Sequence, residues 1–109
     1  MIVNLTPHPL SLRRVDGTIA DIPASGTVAR VVSTDVIQGD LEGLALHHTV
    51  LHMSMVTDLP APRPGVAYVA SLLVAQAARA QGRTDVYAPG PAIRDQEGRI
   101  VGADGLSVP

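Results

Sequence analysis

The sequence has no cysteine, phenylalanine, tryptophan or lysine among its 109 residues. Without cysteine, disulfides, thiolate catalysis and cysteine-based metal sites are excluded. Because Tyr68 and Tyr87 are the only aromatic residues, the core has to consist of Val, Leu, Ile, Ala and Met. Side chains of this size bury less area than aromatic rings do, which favours a homo-oligomer as a further source of burial.

Charge and hydropathy narrow the class of protein. The net charge is −2, so nothing favours binding to a nucleic acid polymer. The longest apolar segment is shorter than the ~20 residues of a membrane span, and no charged segment with an apolar run follows Met1. We therefore expect a single domain over residues 1–109, in the cytoplasm and away from membranes. The eight arginines reflect a coding bias, or provide planar groups for phosphate and carboxylate.

Residues 66–82 form the longest apolar segment and predict the only helix. The first five alternate in hydropathy and predict a strand that runs directly into the helix. Ser71 stands at the N-cap position and Gly82 just past the end, so we expect a helix over about residues 71–81. A helix that only covers a sheet satisfies this pattern. The free amides at the strand-to-helix junction also suit a phosphate or carboxylate.

The remaining sequence predicts short strands and turns. Asp16-Gly17 is a strong hairpin signal, whereas residues 33–43 are polar and contain glycine, which favours a loop with at most a short strand at 36–37. The long β-rich run at 44–59 is expected to bend or split near residues 47–49. Strands are also predicted at 2–5, 10–15, 18–22, 27–32, 92–94, 99–102 and 105–108. The fold class is α+β, with a mostly antiparallel sheet or a partly closed small β-barrel and one helix.

Motifs for metal binding and catalysis are weak. The local pattern places His47, His48 and His52 on a strand, where His48 and His52 are ~13 Å apart and too distant to share an ion. We therefore expect no metal site and no cofactor. The sequence has no nucleophile elbow, phosphate-binding loop or dinucleotide motif. One acid–base arrangement stays open, with His8 beside Ser71 or Asp85.

A set of polar residues is not required by local structure. Asn4, Thr6 and His8 recur with period two and share one face of an extended segment. Arg30 lies within an apolar strand and needs a partner or water. If such side chains converge near the start of the helix, they suit a small polar anion such as a nucleotide. The candidate ligand-binding residues are Asn4, Thr6, His8, Ser25, Arg30, Ser71, Arg83, Asp85 and Arg94.

Five segments carry a resemblance to known proteins. They are N-L-T-P-H at 4–8, P-A-S-G-T-V-A-R at 23–30, Y-V-A-S-L-L-V-A-Q-A at 68–77, R-T-D-V-Y-A-P at 83–89 and A-I-R-D-Q-E-G-R-I-V-G at 92–102. With these five segments, the chain resembles small proteins of phages, prophages and high-GC bacteria that begin with an N-L-T-P-H segment. It departs from them at residues 38–58, which lack the usual G-x-x-x-G-L-P ending and have D-L-P, at 58–60, in its place.

Small phage proteins of this size include sponges, which bind nucleotide immune signals of the host and hold them without catalysis. On origin and size, the resemblance implies a binding protein for a nucleotide or ADP-ribose-like ligand. Under this first hypothesis Arg30 and Arg94 neutralise phosphates, Asp85 joins Asn4 and Thr6 in holding the ribose or base, and His8 lines the cleft. The alternatives are a small enzyme with His8 as acid–base, and a structural module that assembles through strand edges without a ligand.

Overall fold

The computed structural model describes every residue from Met1 to Pro109. The chain forms one helix, α1, and ten strands. The elements are β1 (Ile2–Asn4), β2 (Leu10–Arg13), β3 (Ile19–Ile22), β4 (Arg30–Leu41), β5 (Leu44–Thr57), β6 (Ala67–Val69), α1 (Leu72–Ala80), β7 (Val86–Pro89), β8 (Ala92–Arg94), β9 (Ile100–Asp104) and β10 (Leu106–Ser107).

The strands form three sheets, with orders β1-β6-β7-β10, β3-β2-β9-β8 and β4-β5. The predicted α+β class with mostly sheet and one helix is therefore confirmed. None of the sheets closes on itself in these orders, so the partly closed barrel is not what the structure shows. Parallel pairings join β1 to β6, β6 to β7 and β2 to β9, while the other ladders are antiparallel.

Helix α1 begins and ends as its sequence predicts. The Ser71 hydroxyl accepts a hydrogen bond from the Val74 amide at 3.3 Å, which satisfies one of the free donors of the first turn. At the other end Gly82 adopts φ +88°, a conformation that glycine reaches without strain. The side of the helix that carries Val74, Ala75 and Ala78 is buried against the sheet. The helix has nine residues, and no helix of the chain is long and apolar enough to cross a membrane.

The core is small and almost free of large side chains. Only 14 of 109 residues are buried, and nine of them form the cluster around α1, β6 and β7. Tyr68 is the one aromatic ring in it and is fully buried. Its hydroxyl donates to the Ala61 carbonyl at 3.1 Å and accepts from Arg63 Nε at 3.3 Å, which fixes the proline-rich connector before β6.

The largest departure from the sequence prediction is a long hairpin of β4 and β5. Residues 33–43 are not a loop, because β4 continues from Arg30 to Leu41. The run from 44 is one strand to Thr57 and does not split near 47–49. Its ladder with β4 shifts register twice, between Val31 and Val32 and between Ile37 and Gly39, and the second shift is opposite His47 and Leu46. A two-residue turn, Glu42-Gly43, joins the strands with φ of +50° and +82°. Both residues have the positive φ that a type I′ hairpin turn requires.

The hairpin extends from the body of the protein. Every residue from 33 to 51 is exposed to solvent. The Cα radius of gyration is 16.5 Å, against about 13 Å for a compact chain of this length. Only the base of the hairpin touches the core, where Val31 and Val56 pack on the buried cluster and Gln81 Nε2 donates to the Met53 carbonyl at 3.3 Å.

Candidate functional site

A groove of about 290 Å³ lies where the loop after β1, the base of β4 and the start of α1 meet. This is the strand-to-helix junction at which the sequence predicted a ligand. Its floor is mostly apolar and its rim carries hydroxyl groups and one cation. The lining residues are Leu5, Thr6, Pro7, Val28, Ala29, Arg30, Val31, Ser33, Ser71, Leu73 and Val74.

Backbone pairing holds the walls of the groove in place. The Leu5 amide donates to the Val69 carbonyl at 2.7 Å, and the Ala29 amide donates to the Leu5 carbonyl at 3.2 Å. These bonds extend the β1–β6 ladder by one residue and attach the segment before β4 to it. The start of β4 is therefore fixed beside the end of β6, from which α1 begins. Leu5 and Ala29 are buried beneath the groove.

A buried asparagine fixes the loop that forms one rim. Asn4 is 1% exposed, and its Nδ2 donates to the carbonyls of His8 at 2.8 Å and Ile22 at 3.2 Å. Its Oδ1 accepts from the Thr6 amide at 2.9 Å and lies 2.6 Å from Thr6 Oγ1. All polar positions of this amide are thus occupied by the protein. Asn4 supports the groove from inside the fold, so we do not retain the predicted ligand contact for it.

The start of α1 forms the second rim. Ser71 is exposed, and its hydroxyl caps the Val74 amide, while its carbonyl accepts from the Ala75 amide at 2.9 Å. The amides of Leu72 and Leu73 belong to the first turn, where an α-helix has no internal acceptors. The helix dipole adds a partial positive charge at the same end. An anion in the groove therefore meets backbone donors as well as the Ser71 hydroxyl.

Arg30 is the only charged residue among those that line the groove. It is exposed, and its guanidinium forms no hydrogen bond and no ion pair within the protein. The backbone of Arg30 is nevertheless held by β4, because its carbonyl accepts from Thr57 Oγ1 at 3.4 Å. A fixed backbone with a free guanidinium suits bidentate binding of a phosphate or carboxylate.

Three of the candidate residues, Thr6, Arg30 and Ser71, line this one groove. The hydroxyl of Thr6 is already engaged with Asn4 and the His8 carbonyl, so it shapes the rim more than it offers a free donor. Ser33 also lines the groove and was missed by the sequence analysis. The polar sequence around Ser33 predicts a loop, and Ser33 is identified as a groove residue only once β4 is known to continue past Val32.

Two further candidates, His8 and Ser25, lie outside the groove. His8 is exposed on the loop before β2 and lines no cavity of the structure. Ser25 forms a local turn, because its hydroxyl donates to the Thr27 carbonyl at 3.2 Å and accepts from the Thr27 amide at 3.3 Å. Neither side chain reaches the position where Arg30 and Ser71 meet the groove.

Arg83 and Asp85 form an ion pair with each other. Arg83 Nε donates to Asp85 Oδ1 at 2.8 Å and Nη2 donates to Oδ2 at 2.9 Å, while Nη2 also contacts the Pro60 carbonyl at 3.0 Å. Hydrogen bonding from Arg83 lowers the pKa of Asp85, and the same bonds raise the pKa of Arg83. The pair fastens the connector beside Tyr68, and neither residue lines the groove.

Arg94 lies on another part of the surface. It is in β8, and its Nη1 donates to the Gly98 carbonyl at 2.7 Å across the hairpin turn that follows. This bond stabilises the turn between β8 and β9. The second phosphate contact that the sequence predicted therefore lies apart from Arg30.

A larger cavity, of about 370 Å³, lies between β2, β8 and β9. Its lining includes no charged residue, and its one polar side chain, Ser11, already donates to Asp21 Oδ1 at 2.9 Å. A polar ligand finds no orienting group there. The smaller groove beside α1 is therefore the better candidate site.

The histidines of β5 do not form a metal centre. Their predicted strand conformation is confirmed, with His47 pairing Ile37 and His48 pairing Val36. His47 Nδ1 lies 2.6 Å from Asp35 Oδ2, on one face of the hairpin, and His52 Nε2 lies 2.8 Å from Thr34 Oγ1 on the other. No group of three or more His, Asp or Glu side chains is arranged to hold an ion.

Comparison of the chain with protein-family models, with curated proteins and with solved structures gives no match.

Proposed function

We propose that this protein binds a small phosphate-bearing ligand, nucleotide or ADP-ribose-like, in the groove beside α1 and holds it without catalysis. The observation that carries the proposal is that Arg30, whose guanidinium has no partner within the protein, is a lining residue of the same groove as the first turn of α1. A cationic residue and the partially positive N-terminus of α1 border this groove, and no carboxylate lines it to neutralise them.

The two groups act on an anion in different ways. The first-turn amides and the Ser71 hydroxyl provide directed hydrogen bonds to phosphate oxygens at fixed positions. Arg30 provides a mobile cation whose planar fork matches two oxygens at once. Because both groups are free in the unliganded protein, binding does not require an internal ion pair to break.

The volume of the groove limits the ligand. At about 290 Å³ it lies at the small end of ligand pockets. A phosphate with the adjoining sugar therefore fits within it, and a larger ligand has to continue past Ser33 along the base of the hairpin. The apolar floor of Leu5, Val28 and Val74 suits the carbon face of a sugar or base.

Binding is favoured over chemistry by the composition of the lining. No His, Asp or Glu lines the groove, so general acid–base catalysis has no group to carry the proton. In the enzyme alternative His8 works with Ser71 or Asp85. His8 is outside the groove and Asp85 is paired with Arg83, so the geometry does not support that arrangement.

The resemblance to small phage and prophage proteins suggests which ligands to test. In the proposed role the protein acts as a sponge in the host cytoplasm that lowers the free concentration of a nucleotide immune signal. A homo-oligomer is part of this proposal, since the small core leaves apolar surface outside the groove.

A depletion assay tests the proposal. Purified protein is incubated with a panel of cyclic nucleotides and ADP-ribose-type nucleotides and separated from free ligand, and the bound fraction is released by heat and analysed by HPLC. We expect at least one nucleotide to be depleted and then recovered intact. Arg30→Ala should abolish depletion, because it removes the only cation of the groove.

Arg79→Ala is the matched control for Arg30→Ala. Arg79 is an exposed arginine in the last turn of the same helix, at the end opposite to the groove. The Arg79→Ala variant should deplete the nucleotide as the wild type does. Equal depletion by Arg30→Ala and wild type rejects the site, recovery of a modified nucleotide favours the enzyme alternative, and no depletion across the panel favours the structural module.

A further inference from the structure

The β4–β5 hairpin has two faces of different character. Successive side chains of a strand point to opposite faces, and paired residues of the two strands point to the same face. One face of the hairpin therefore carries apolar side chains at recurring positions along both strands. We name this the apolar ribbon face, and it consists of Val32, Thr34, Val36, Gly39 and Leu41 from β4 with Leu44, Leu46, His48, Val50 and His52 from β5. No acidic residue and no arginine belongs to it.

The opposite face is mostly polar. It carries the Asp35–His47 pair, and Thr49 Oγ1 lies 3.5 Å from Asp35 Oδ1. Ile37 and Leu51 are its two large apolar residues, and they stand apart from each other along the hairpin. An antiparallel sheet with one apolar and one polar face is typical of a sheet whose apolar face is covered.

Nothing within the chain covers the apolar ribbon face. Val36, Leu41, Leu44, Leu46 and Val50 are between 39% and 69% exposed. The two strands have no third strand beside them, since the hairpin forms a sheet of its own. A lone two-stranded hairpin is marginally stable in water, and it needs a further layer over its apolar side.

We propose that the apolar ribbon face binds the same face of a second copy of this chain. A two-fold pairing requires a patch that is complementary to itself, so that each residue meets the partner without a conflict of charge. The apolar ribbon face satisfies this condition because Asp35 and Asp40 point to the other side, and the nearest charge on its own side, Arg30, lies beyond its end, two residues before Val32. Gly39 leaves open space opposite Leu46, which provides a depression for a side chain of the partner.

The paired faces form a two-layer, four-stranded sandwich. From Val32 to Leu41 the hairpin is roughly 33 Å long and roughly 10 Å wide. Because protruding side chains enlarge this surface, each copy contributes roughly 400–500 Å² of accessible surface, and the pair buries roughly 800–1,000 Å² in total. This area is below the roughly 1,200 Å² of stable specific interfaces and in the range of transient ones, so it predicts a reversible dimer whose population depends on protein concentration.

This inference does not depend on ligand binding, because Ser71 caps α1 and Arg30 precedes Val32, the first β4 residue of the apolar ribbon face. Sedimentation velocity over a range of protein concentrations tests it. The wild type should shift from monomer to dimer as the concentration rises. Leu46→Glu places a charge in the paired faces and should weaken the dimer by at least about tenfold in Kd.

Ile37→Glu is the matched control. It makes the same kind of substitution in the same hairpin, but on the polar face opposite His47, and Ile37 is 64% exposed. It should dimerise as the wild type does, and circular dichroism should show that both variants fold. A wild type that stays monomeric at every concentration overturns the proposal, as does equal weakening by the two substitutions.

Cysteine cross-linking tests the geometry separately. Because the protein has no cysteine, a single Leu46→Cys or Ile37→Cys substitution introduces a unique thiol. A short bis-maleimide should join two copies of Leu46→Cys and leave Ile37→Cys monomeric. If Ile37→Cys cross-links and Leu46→Cys does not, the copies meet through the other face and the assignment is wrong.

Discussion

Replacing Asn4 by alanine should destabilise the protein more than any other single change at a polar residue of the groove region. The side chain is 1% exposed and contacts the His8 and Ile22 carbonyls and the Thr6 amide and hydroxyl. A hydrogen bond contributes about 0.5–1.5 kcal/mol net, and an unsatisfied buried partner costs about 1–3 kcal/mol. The partners are only partly buried, so water replaces some of the bonds and we expect a loss of about 2–4 kcal/mol.

Thermal and denaturant unfolding measure this loss. For a domain of this size the expected free energy change lowers the midpoint by roughly 10–25 °C. Thr6→Val, which removes only the hydroxyl next to Asn4 Oδ1, should cost about 1 kcal/mol. The double variant should cost less than the sum, since both changes remove the same contact. An Asn4→Ala loss below about 1 kcal/mol would refute the role of Asn4 as the internal support of the groove.

Two further predictions concern stability away from the groove. Asp85→Asn should destabilise the protein near neutral pH, because it removes the ion pair with Arg83. Arg83 lowers the pKa of Asp85, so the stability that the ion pair contributes is present above the ordinary carboxyl pKa and is lost as the pH falls through the lowered pKa of the folded state. The unfolding curves of wild type and variant should therefore converge in acid. Gly90→Ala should disrupt the contact between the two four-stranded sheets, because an added Cβ overlaps the Asp104 carbonyl group and lies only 2.8 Å from its carbon atom. The Cβ of Gly98→Ala meets no atom within 4 Å, so this substitution should cost only the backbone strain of its positive φ, about 1 kcal/mol. A stability loss of Asp85→Asn that persists in acid contradicts the ion-pair prediction. Equal unfolding midpoints for Gly90→Ala and Gly98→Ala contradict the close contact at Gly90.

The parts of the fold that depend on local signals could be predicted from the sequence. Ser71 and Gly82 bound the helix because capping acts within one turn. Asp16-Gly17 gave the β2–β3 hairpin for a similar reason. The parallel pairing of β1 with β6 joins residues far apart in sequence, and no local pattern indicates it.

The β4–β5 hairpin was missed because its local signals are weak. Glu42-Gly43 is a less typical turn than Asn-Gly or Asp-Gly, and Ser33, Thr34 and Asp35 suggest a loop. Alternation along the strand explains Ser33 and Asp35, which lie on the polar face, whereas Thr34 lies on the apolar ribbon face and contacts His52 there. That regularity becomes visible only when the register of the two strands is known.

The candidate site was predicted in part. Arg30 and Ser71 were identified by their place in the pattern, one a charge in an apolar strand and the other a helix cap. Asn4 has the composition of a ligand-binding residue, yet the fold uses all of its hydrogen-bonding positions. The pairing of Arg83 with Asp85 was not predicted, because the two residues lie in the connection between α1 and β7, where no regular alternation shows which side chains meet.

The central claim is that a phosphate-bearing ligand binds between Arg30 and the first turn of α1. Titration of isotope-labelled protein with the nucleotide depleted most strongly, followed by backbone NMR, measures this directly. We expect the amide signals of Leu72 and Leu73 and the side-chain Nε–H signal of Arg30 to shift together with one saturation curve. Shifts confined to the β2, β8 and β9 cavity, or no shift at α1, would contradict the account.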